Sequence, residues 1–156
     1  MTRRVLILLT IIAFLGLDAG LFLKHRSADA SEGASREVIA LAKTATPLVL
    51  SYEFSSLDAY RDQVQDVTTG EFRAELLELI DSRIRPTATK ERITTKATVP
   101  EVAVVSASSE RVVVLAFVNQ VTHKKSYADP RVEGSRVRVT FVREGSDWMI
   151  AQLEPV

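Results

Sequence analysis

Hydrophobic residues are most concentrated near the N-terminus, where residues 5–23 read VLILLTIIAFLGLDAGLFL and carry a single charge. A helix needs about 20 apolar residues to cross a bilayer. The segment therefore predicts one transmembrane helix, preceded by residues 1–4 and followed by a polar neck over 24–34 and a soluble domain over 35–156. The apolar residues of this anchor are Val5, Leu6, Ile7, Leu8, Leu9, Ile11, Ile12, Phe14, Leu15, Leu17, Leu21, Phe22 and Leu23.

The charges that flank the span predict its orientation. Arg3 and Arg4 precede it together with the chain amine, and Lys24 and Arg26 follow it. Positive residues favour the cytoplasmic side, so we expect a single-pass protein of the cell membrane with a cytoplasmic N-terminus and an extracytoplasmic domain. The alternative is a cleaved signal peptide, because residues 28–30 (Ala-Asp-Ala) fit a cleavage site. The length of the apolar run and the charges before that site favour the anchor.

Small residues and one acid stand out within the span. Ala13, Gly16 and Gly20 share one helical face, which is the pattern of a surface for close helix packing. Asp18 is the only charged residue, and a carboxylate at membrane depth is typical of a functional or partner contact. Its position about 7 Å from the end of the span, at 1.5 Å per residue, equally fits a carboxylate that reaches water.

Apolar positions beyond the neck first recur at helical spacing. Over residues 35–54 they predict a helix that Pro47 should kink or split. The S-x-x-D spacing at 55–58 predicts the start of a second helix, and residues 68–71 predict the start of a third that ends before Pro86. The apolar positions on these faces are Val38, Ala42, Ala45, Val49 and Tyr52 in the first helix, and Phe72, Leu76, Leu79, Ile80 and Ile84 in the third.

The period then changes to that of strands. Residues 94–122 are rich in Val and Thr with a polar break at 108–110, which predicts two strands joined by a tight turn. Residues 136–143 alternate, with Arg136 and Arg138 on one face and apolar side chains on the other. A last strand follows over 148–153. Helices first and strands last predict an α+β domain, with about three helices packed on one face of an antiparallel sheet of about four strands; the resemblance given below implies that this sheet is curved.

Composition excludes several classes of function. The chain has 20 Lys plus Arg and 20 Asp plus Glu, so there is no electrostatic case for binding nucleic acid. It has no cysteine, which excludes disulfides, thiol nucleophiles and thiolate metal sites. With only two histidines, a multi-histidine metal site within one chain is excluded as well. We expect no metal, no cofactor and no catalytic residues.

Several segments of the strand region are familiar together: Thr98-Val99, VVSAS at 104–108, VLAFVNQ at 114–120, and SRVRVT at 135–140 with Trp148 and the terminal Pro155-Val156. In these segments the chain resembles the Mce-associated membrane proteins, where Mce denotes the mammalian-cell-entry family of actinobacterial lipid importers. Thr69-Gly70-Glu71-Phe72 resembles the Thr-Gly-x-Phe segment of the same family. No Gly directly precedes Trp148, which departs from the family pattern and should alter only the last turn.

The resemblance implies a cone-like domain similar to nuclear transport factor 2 and to the single-anchor scaffold domains of type IV secretion. It further implies a non-enzymatic accessory protein that stabilises an Mce-type importer of lipids or sterols. The expected partners are the Mce complex proteins and their permease, the membrane, and lipid as a further candidate. A scaffold of another envelope assembly and a lipid-binding or small-ligand-binding cone are the alternatives.

Two polar residues are the candidates for a pocket in such a cone. If Val113, Leu115 and Phe117 point inward, Asn119 does so too, and Glu101 follows the same phase on the preceding strand. An inward acid and amide would suit a polar ligand group or an isomerase-like acid or base. The alternative, which we favour, places both residues at wet strand ends. Arg136 and Arg138 form an outward row suited to an acidic partner or lipid head groups, or to solvent alone.

Overall fold

The structure is a computed structural model that describes residues 29–156. The first helix, α1, covers residues 29–50 without interruption. Val38, Ala42 and Val49 are buried on its predicted apolar face, against the sheet. The expectation that Pro47 splits this helix was wrong, because Pro47 lies in the last turn and removes one hydrogen bond from a helix held by its buried face. Residues 29–34, assigned to the neck, are already helical.

Two short helices follow a two-residue strand, β1 (Tyr52–Glu53): α2 (Leu57–Val67) and α3 (Gly70–Leu79). Both begin within two residues of their predicted starts. Neither uses a side-chain cap. The Thr69 hydroxyl instead contacts the Glu144 carboxylate, which ties the start of α3 to the far end of the sheet. Gly70 has φ +61°, a conformation that favours glycine at this corner.

The third helical segment does not end before Pro86. A π-helical turn (Ile80–Ile84) follows α3, and α4 (Arg85–Glu91) continues from it. Pro86 stands at the start of α4, where its missing N–H falls at the junction with the π turn rather than inside a regular ladder. The helix therefore passes through the proline. Ile80, predicted to face inward, is fully buried, whereas Leu79, also predicted to face inward, is 43% exposed.

The sheet is antiparallel and its order follows the chain. Its long strands are β2 (Thr94–Ala107), β3 (Arg111–His123), β4 (Arg131–Glu144) and β5 (Asp147–Pro155). Within residues 29–156 the sheet has five strands rather than four, because β1 pairs with Thr94 and Thr95 at one edge. The α+β class, with three helical segments on an antiparallel sheet, is confirmed. β1 has only two residues, which are too few to show the alternation of a strand, so the sequence pattern could not predict it.

One end of the sheet holds the N-terminal half of α1 and the other its C-terminus. Glu37 contacts Arg143 and Trp148 at the β4–β5 hairpin. The Gln120 side chain donates to the Leu50 carbonyl near the opposite end of β3, at 3.3 Å. The first described residues therefore lie at the end of the domain that carries the β2–β3 and β4–β5 turns.

The predicted membrane anchor over residues 5–23, with Ala13, Gly16, Asp18 and Gly20, lies outside the described residues. Within residues 29–156 the structure contains no helix with both the length and the hydrophobicity needed to span a bilayer.

Candidate functional site

Both predicted pocket residues lie on the outside of the domain. Glu101 and Asn119 are exposed, and each shares the sheet face that points away from the helices. The inward side chains of β3 are Val112, Val114 and their alternating neighbours Ala116 and Val118, which are all at most 1% exposed. The predicted phase of β3 was therefore wrong by one residue. The alternative, in which both residues face water, is the one that the structure supports, since neither lies between the helices and the sheet.

The physical reason is that β3 is apolar on both faces. Residues 112–118 contain no polar side chain, so alternation could not fix which set points inward. In β2 a bulge between Thr98 and Glu101 shifts the register against β3. The shift leaves Val99 buried and turns Glu101 outward beside Phe117. Neither feature has a reliable signal in the sequence.

The space between helices and sheet is filled by side chains. The main core joins the inward face of α1 to inward residues of β2, β3, β4 and β5, with Phe141 and Ile150 fully buried. Val137, Val139 and Phe141 point inward as predicted. A second core lies between α2 and the helical segment that follows it, around Val64 and Ile80. The charged side chains named above, and most other charged residues within 29–156, thus lie outside these two cores.

One open cleft of about 260 Å³ lies where α2 meets the start of β2. Tyr52, Tyr60 and Gln63 line it, and the two tyrosine rings lie 5.6 Å apart. The Tyr60 hydroxyl is not free for chemistry, because it donates to the Val49 carbonyl at 2.7 Å. Burial raises the pKa of Tyr60, which keeps this hydroxyl protonated and in its structural role. The cleft was not predicted, since its residues come together only in the fold.

A charged cluster fastens α1 to the sheet. Glu37 Oε2 accepts from Trp148 Nε1 at 2.8 Å and from Arg143 Nη2 at 2.9 Å. The Arg143 guanidinium lies over the Trp148 ring, with 4.5 Å from Cζ to the centroid. The hydrogen bond from Trp148, and then that from Arg143, lowers the pKa of the Glu37 carboxyl. The arrangement is an inter-element clasp with no open space for a substrate.

The outward face of the sheet carries an apolar patch. We call Ala103 on β2 with Val113, Leu115 and Phe117 on β3 the outer strip. Phe117 is 41% exposed, and no helix among residues 29–156 covers this face. Arg136 and Arg138 are exposed beside it on β4, as the predicted outward row requires. The unbroken apolar run of β3 is the sequence signal that could have found this patch.

The described part of the chain offers no cluster of three or more His, Asp or Glu residues suited to a metal ion. The expectation of no metal remains a prediction, as does the expectation of no cofactor.

Comparison with known proteins places the chain in a family. The family described as "Uncharacterized protein Rv1363c/MT1408-like" matches residues 1–156. The chain belongs to this family. A relative from Mycobacterium tuberculosis (strain H37Rv), Uncharacterized protein Rv1362c, is 30% identical over 154 residues, which are 97% of this chain and 70% of the relative. Outer membrane protein Rv1973 of the same strain is 33% identical over 123 residues, 79% of this chain and 76% of that protein.

Solved structures share the fold of this Rv1363c/MT1408-like protein. An IcmL-like type IV secretion system protein from Legionella pneumophila has a TM-score of 0.65 at 10% identity, covering 78% of this chain and 91% of that one. The periplasmic domain of DotI has a TM-score of 0.64 at 13% identity, covering 76% of this chain and 92% of that one. The predicted likeness in shape to type IV secretion domains is confirmed. At these identities the likeness concerns the fold alone.

Proposed function

We propose that the protein is a non-enzymatic, membrane-anchored accessory protein that associates with and stabilises an Mce-type importer of lipids or sterols. The observation that carries the proposal is the filled interior, with Phe141, Val114 and Ile150 fully buried between helices and sheet. Because side chains fill this interior within residues 29–156, we infer that the domain acts through its surfaces. The partners in this proposal, Mce proteins and their permease, come from the sequence resemblance.

The comparisons support an envelope location for this function. One relative is named an outer membrane protein, and one structure of the same fold is a periplasmic domain. Both names agree with the orientation predicted from Arg3 and Arg4, in which the domain is extracytoplasmic. The membrane anchor over residues 5–23 is part of the proposal.

The mechanism is scaffolding at a surface. A domain held by one span searches only the plane of the membrane, which raises its effective concentration toward partners in that membrane. Glu37 on α1 contacts Arg143 and Trp148 at the β4–β5 hairpin, which joins the first described helix to the sheet.

The experiment is recovery of the tagged full-length protein from its native membrane after gentle crosslinking, with identification of its partners. We expect Mce proteins and their permease. A chain that starts at Asp29 should fold but fail to restore lipid uptake in cells that lack the protein, whereas residues 29–156 on an unrelated single span should restore it. Recovery without Mce proteins contradicts the partner, and full uptake with the unanchored chain contradicts the role of the anchor.

A second candidate, the binding of a small polar ligand, rests on the cleft at Tyr52 and Tyr60. Its polar rim includes Ser51, Ser56 and Gln63, and its volume of about 260 Å³ lies near the lower limit for ligand pockets. Mass spectrometry of the purified protein under native conditions tests this alternative. A bound small molecule that is lost on Gln63→Trp, which fills the cleft, would favour it over scaffolding.

A further inference from the structure

The outer strip and the charged residues that flank it lie in ordered rows across three strands, β2, β3 and β4. In the central row Glu101 on β2 faces Phe117 on β3, and Phe117 faces Arg136 on β4. In the next row Leu115 stands between Ala103 and Arg138. Side chains directly opposite in an antiparallel pair point to the same face. Phe117 and Leu115 therefore form an apolar ridge on β3, with an acid on one flank and arginines on the other.

The flanking charges of the central row have no ion-pair partner among residues 29–156. Glu101 and Arg136 are separated by two strand spacings, roughly 10 Å, with Phe117 between them. Both are exposed. Cations and acids on the helical side of the domain do pair, for example Arg61 with Asp81 at 3.1 Å. The outer face thus presents opposite unpaired charges on either side of an apolar line.

We propose that two copies of the chain pair face to face across the outer strip, about a twofold axis that runs along β3. Such an axis exchanges the two flanks, so β2 of one copy lies over β4 of the other. Each Glu101 then meets the Arg136 of the second copy, and Phe117 meets Phe117 between the two ion pairs. When two twisted sheets pack face to face, their strand directions cross at about 30°. This angle is small enough that the corresponding rows of the two copies stay in reach of each other.

No like charges oppose each other in these rows of the pair. Arg138 lies over Ala103 of the second copy, and Thr98 over Gly134. A shallow depression of about 230 Å³ beside Phe117, lined by Asn119, Gly134 and Arg136, gives the opposing aromatic ring a place to pack. Gly134 creates it because a glycine leaves the space of a side chain empty. The face is thus complementary to itself in charge and in shape.

The direction of α1 agrees with this symmetry. An axis along β3 keeps both β4–β5 hairpins, and with them both N-terminal halves of α1, at the same end of the pair. Two chains paired in this way present their N-terminal ends toward one membrane. The inference therefore suits the proposed anchor, although it does not depend on any Mce partner.

Pairing through the edge of the sheet is disfavoured. β2 is an edge strand beyond its short contact with β1, but it carries Pro100 and two bulges, between Thr98 and Glu101 and between Val104 and Ser106. Prolines and bulges block the addition of a further strand. The opposite edge strand, β5, is partly occupied, because the Thr69 N–H donates to the Ile150 carbonyl at 2.9 Å. The outer face, which has no such protection, is the surface open to a second copy.

The area of the face predicts a weak pair. Three strands by about nine residues span roughly 14 Å by 30 Å, or ~400 Å² in projection per copy, below the ~800 Å² per partner of standard interfaces. Such a pair forms poorly in dilute solution. Confinement to a membrane raises the local concentration, so the test belongs in the membrane with the full chain.

Crosslinking tests the pair, because the chain has no cysteine of its own. Facing sheets lie about 10 Å apart, beyond the reach of a disulfide, so the probe is a bismaleimide of about that span. Asn119→Cys places a thiol on the axis beside the outer strip, and Glu75→Cys places one on the exposed face of α3. We expect a crosslinked dimer from the first, at least about fivefold above the second, in cell membranes.

Charge exchange distinguishes a second copy from any other occupant. In the Asn119→Cys chain, Glu101→Arg alone and Arg136→Glu alone should each reduce the dimer several-fold, whereas Lys43→Glu on α1 should not. Combining both reversals in one chain should restore it. Mixing two tagged chains that each carry one reversal should also restore it, because one chain then has an arginine on both flanks and the other has an acid on both flanks.

Circular dichroism of each variant establishes that the domain is still folded. A dimer yield from Asn119→Cys no higher than that from Glu75→Cys overturns the proposal. A loss of dimer on single charge reversal that neither the combined nor the mixed reversals restore also overturns it. Crosslinking of the Asn119→Cys chain to a different protein, or no crosslinking at all, has the same meaning. Restoration in the mixed chains is the result that supports it.

Discussion

At the scale of single residues, Glu37 has the most consequential contacts. It is on α1, and its two donors, Arg143 and Trp148, lie at the β4–β5 hairpin. Arg143 also donates through Nε to the Ser109 carbonyl at 3.2 Å, which adds the β2–β3 turn to the same cluster. One carboxylate thus contributes to a cluster at the end of the domain where the first helix meets β4, β5 and the β2–β3 turn.

The lowered pKa of Glu37 predicts a pH-dependent contribution to stability. A depressed carboxyl pKa stabilises the fold above the unfolded-state pKa, about 4.3, and this stabilisation is lost as pH falls through the folded-state pKa. Glu37→Gln should therefore lower the melting temperature at pH 7, with a difference that shrinks toward zero below about pH 4. Thermal melts from pH 3 to pH 7 measure it, with exposed Glu75→Gln as control. A difference that is constant with pH contradicts the role of the charge.

Residue-level prediction from sequence succeeded where one face of a strand is polar. The alternation at Arg136, Val137, Arg138 and Val139 fixed which side chains are buried. It failed at Glu101 and Asn119, because β3 offers apolar side chains to both faces and β2 contains bulges. The contacts of Glu37 with Arg143 and Trp148 had no signal in the sequence, because these partners lie more than 100 residues away along the chain.

At the scale of elements, the π turn determines the orientation of the third helical segment. Of two adjacent residues that were both predicted to face inward, Ile80 is 0% exposed, as expected, whereas Leu79 is 43% exposed. Ile80→Ala should cost about 2–5 kcal/mol, the usual range for a large buried aliphatic side chain. Leu79→Ala should cost less than about 1 kcal/mol, because most of its truncation removes exposed surface. Urea unfolding of both variants measures the contrast, and equal costs would contradict the assigned phase.

The helices could be predicted as elements but not in their details. Apolar spacing located the first and third segments, and the start signals at 55–58 and 68–71 placed the starts of α2 and α3 within two residues. The passage through Pro86 was not predictable, because whether a proline ends a helix depends on the turn before it. A regular turn would leave a carbonyl unpaired and clash with the ring, whereas the π turn moves the missing N–H to a junction.

At the scale of the whole molecule, the order of patterns along the chain was sufficient for the fold class. Helical periods before residue 92 and strand periods after it indicate a sheet of sequential hairpins covered on one face, and the observed strand order is sequential. The order of patterns could not show that the sheet has a second apolar face, which is exposed. Because one face of β3 serves the core and the other is exposed, an apolar strand predicts burial without saying what covers each side.

The boundary of the folded domain follows from how α1 contributes to the main core. Ala34, Val38 and Ala42 are each at most 3% exposed, so the helix is part of the core well before residue 42. A chain over residues 29–156 should unfold in one cooperative transition. A chain that starts at Ala40 loses Ala34, Glu37 and Val38, a cost of several kcal/mol in a domain whose total stability is typically about 5–15 kcal/mol. Its urea midpoint, followed by circular dichroism, should fall markedly or the transition should disappear. Equal midpoints for the two chains would show that the first three turns are dispensable and that the domain begins inside α1.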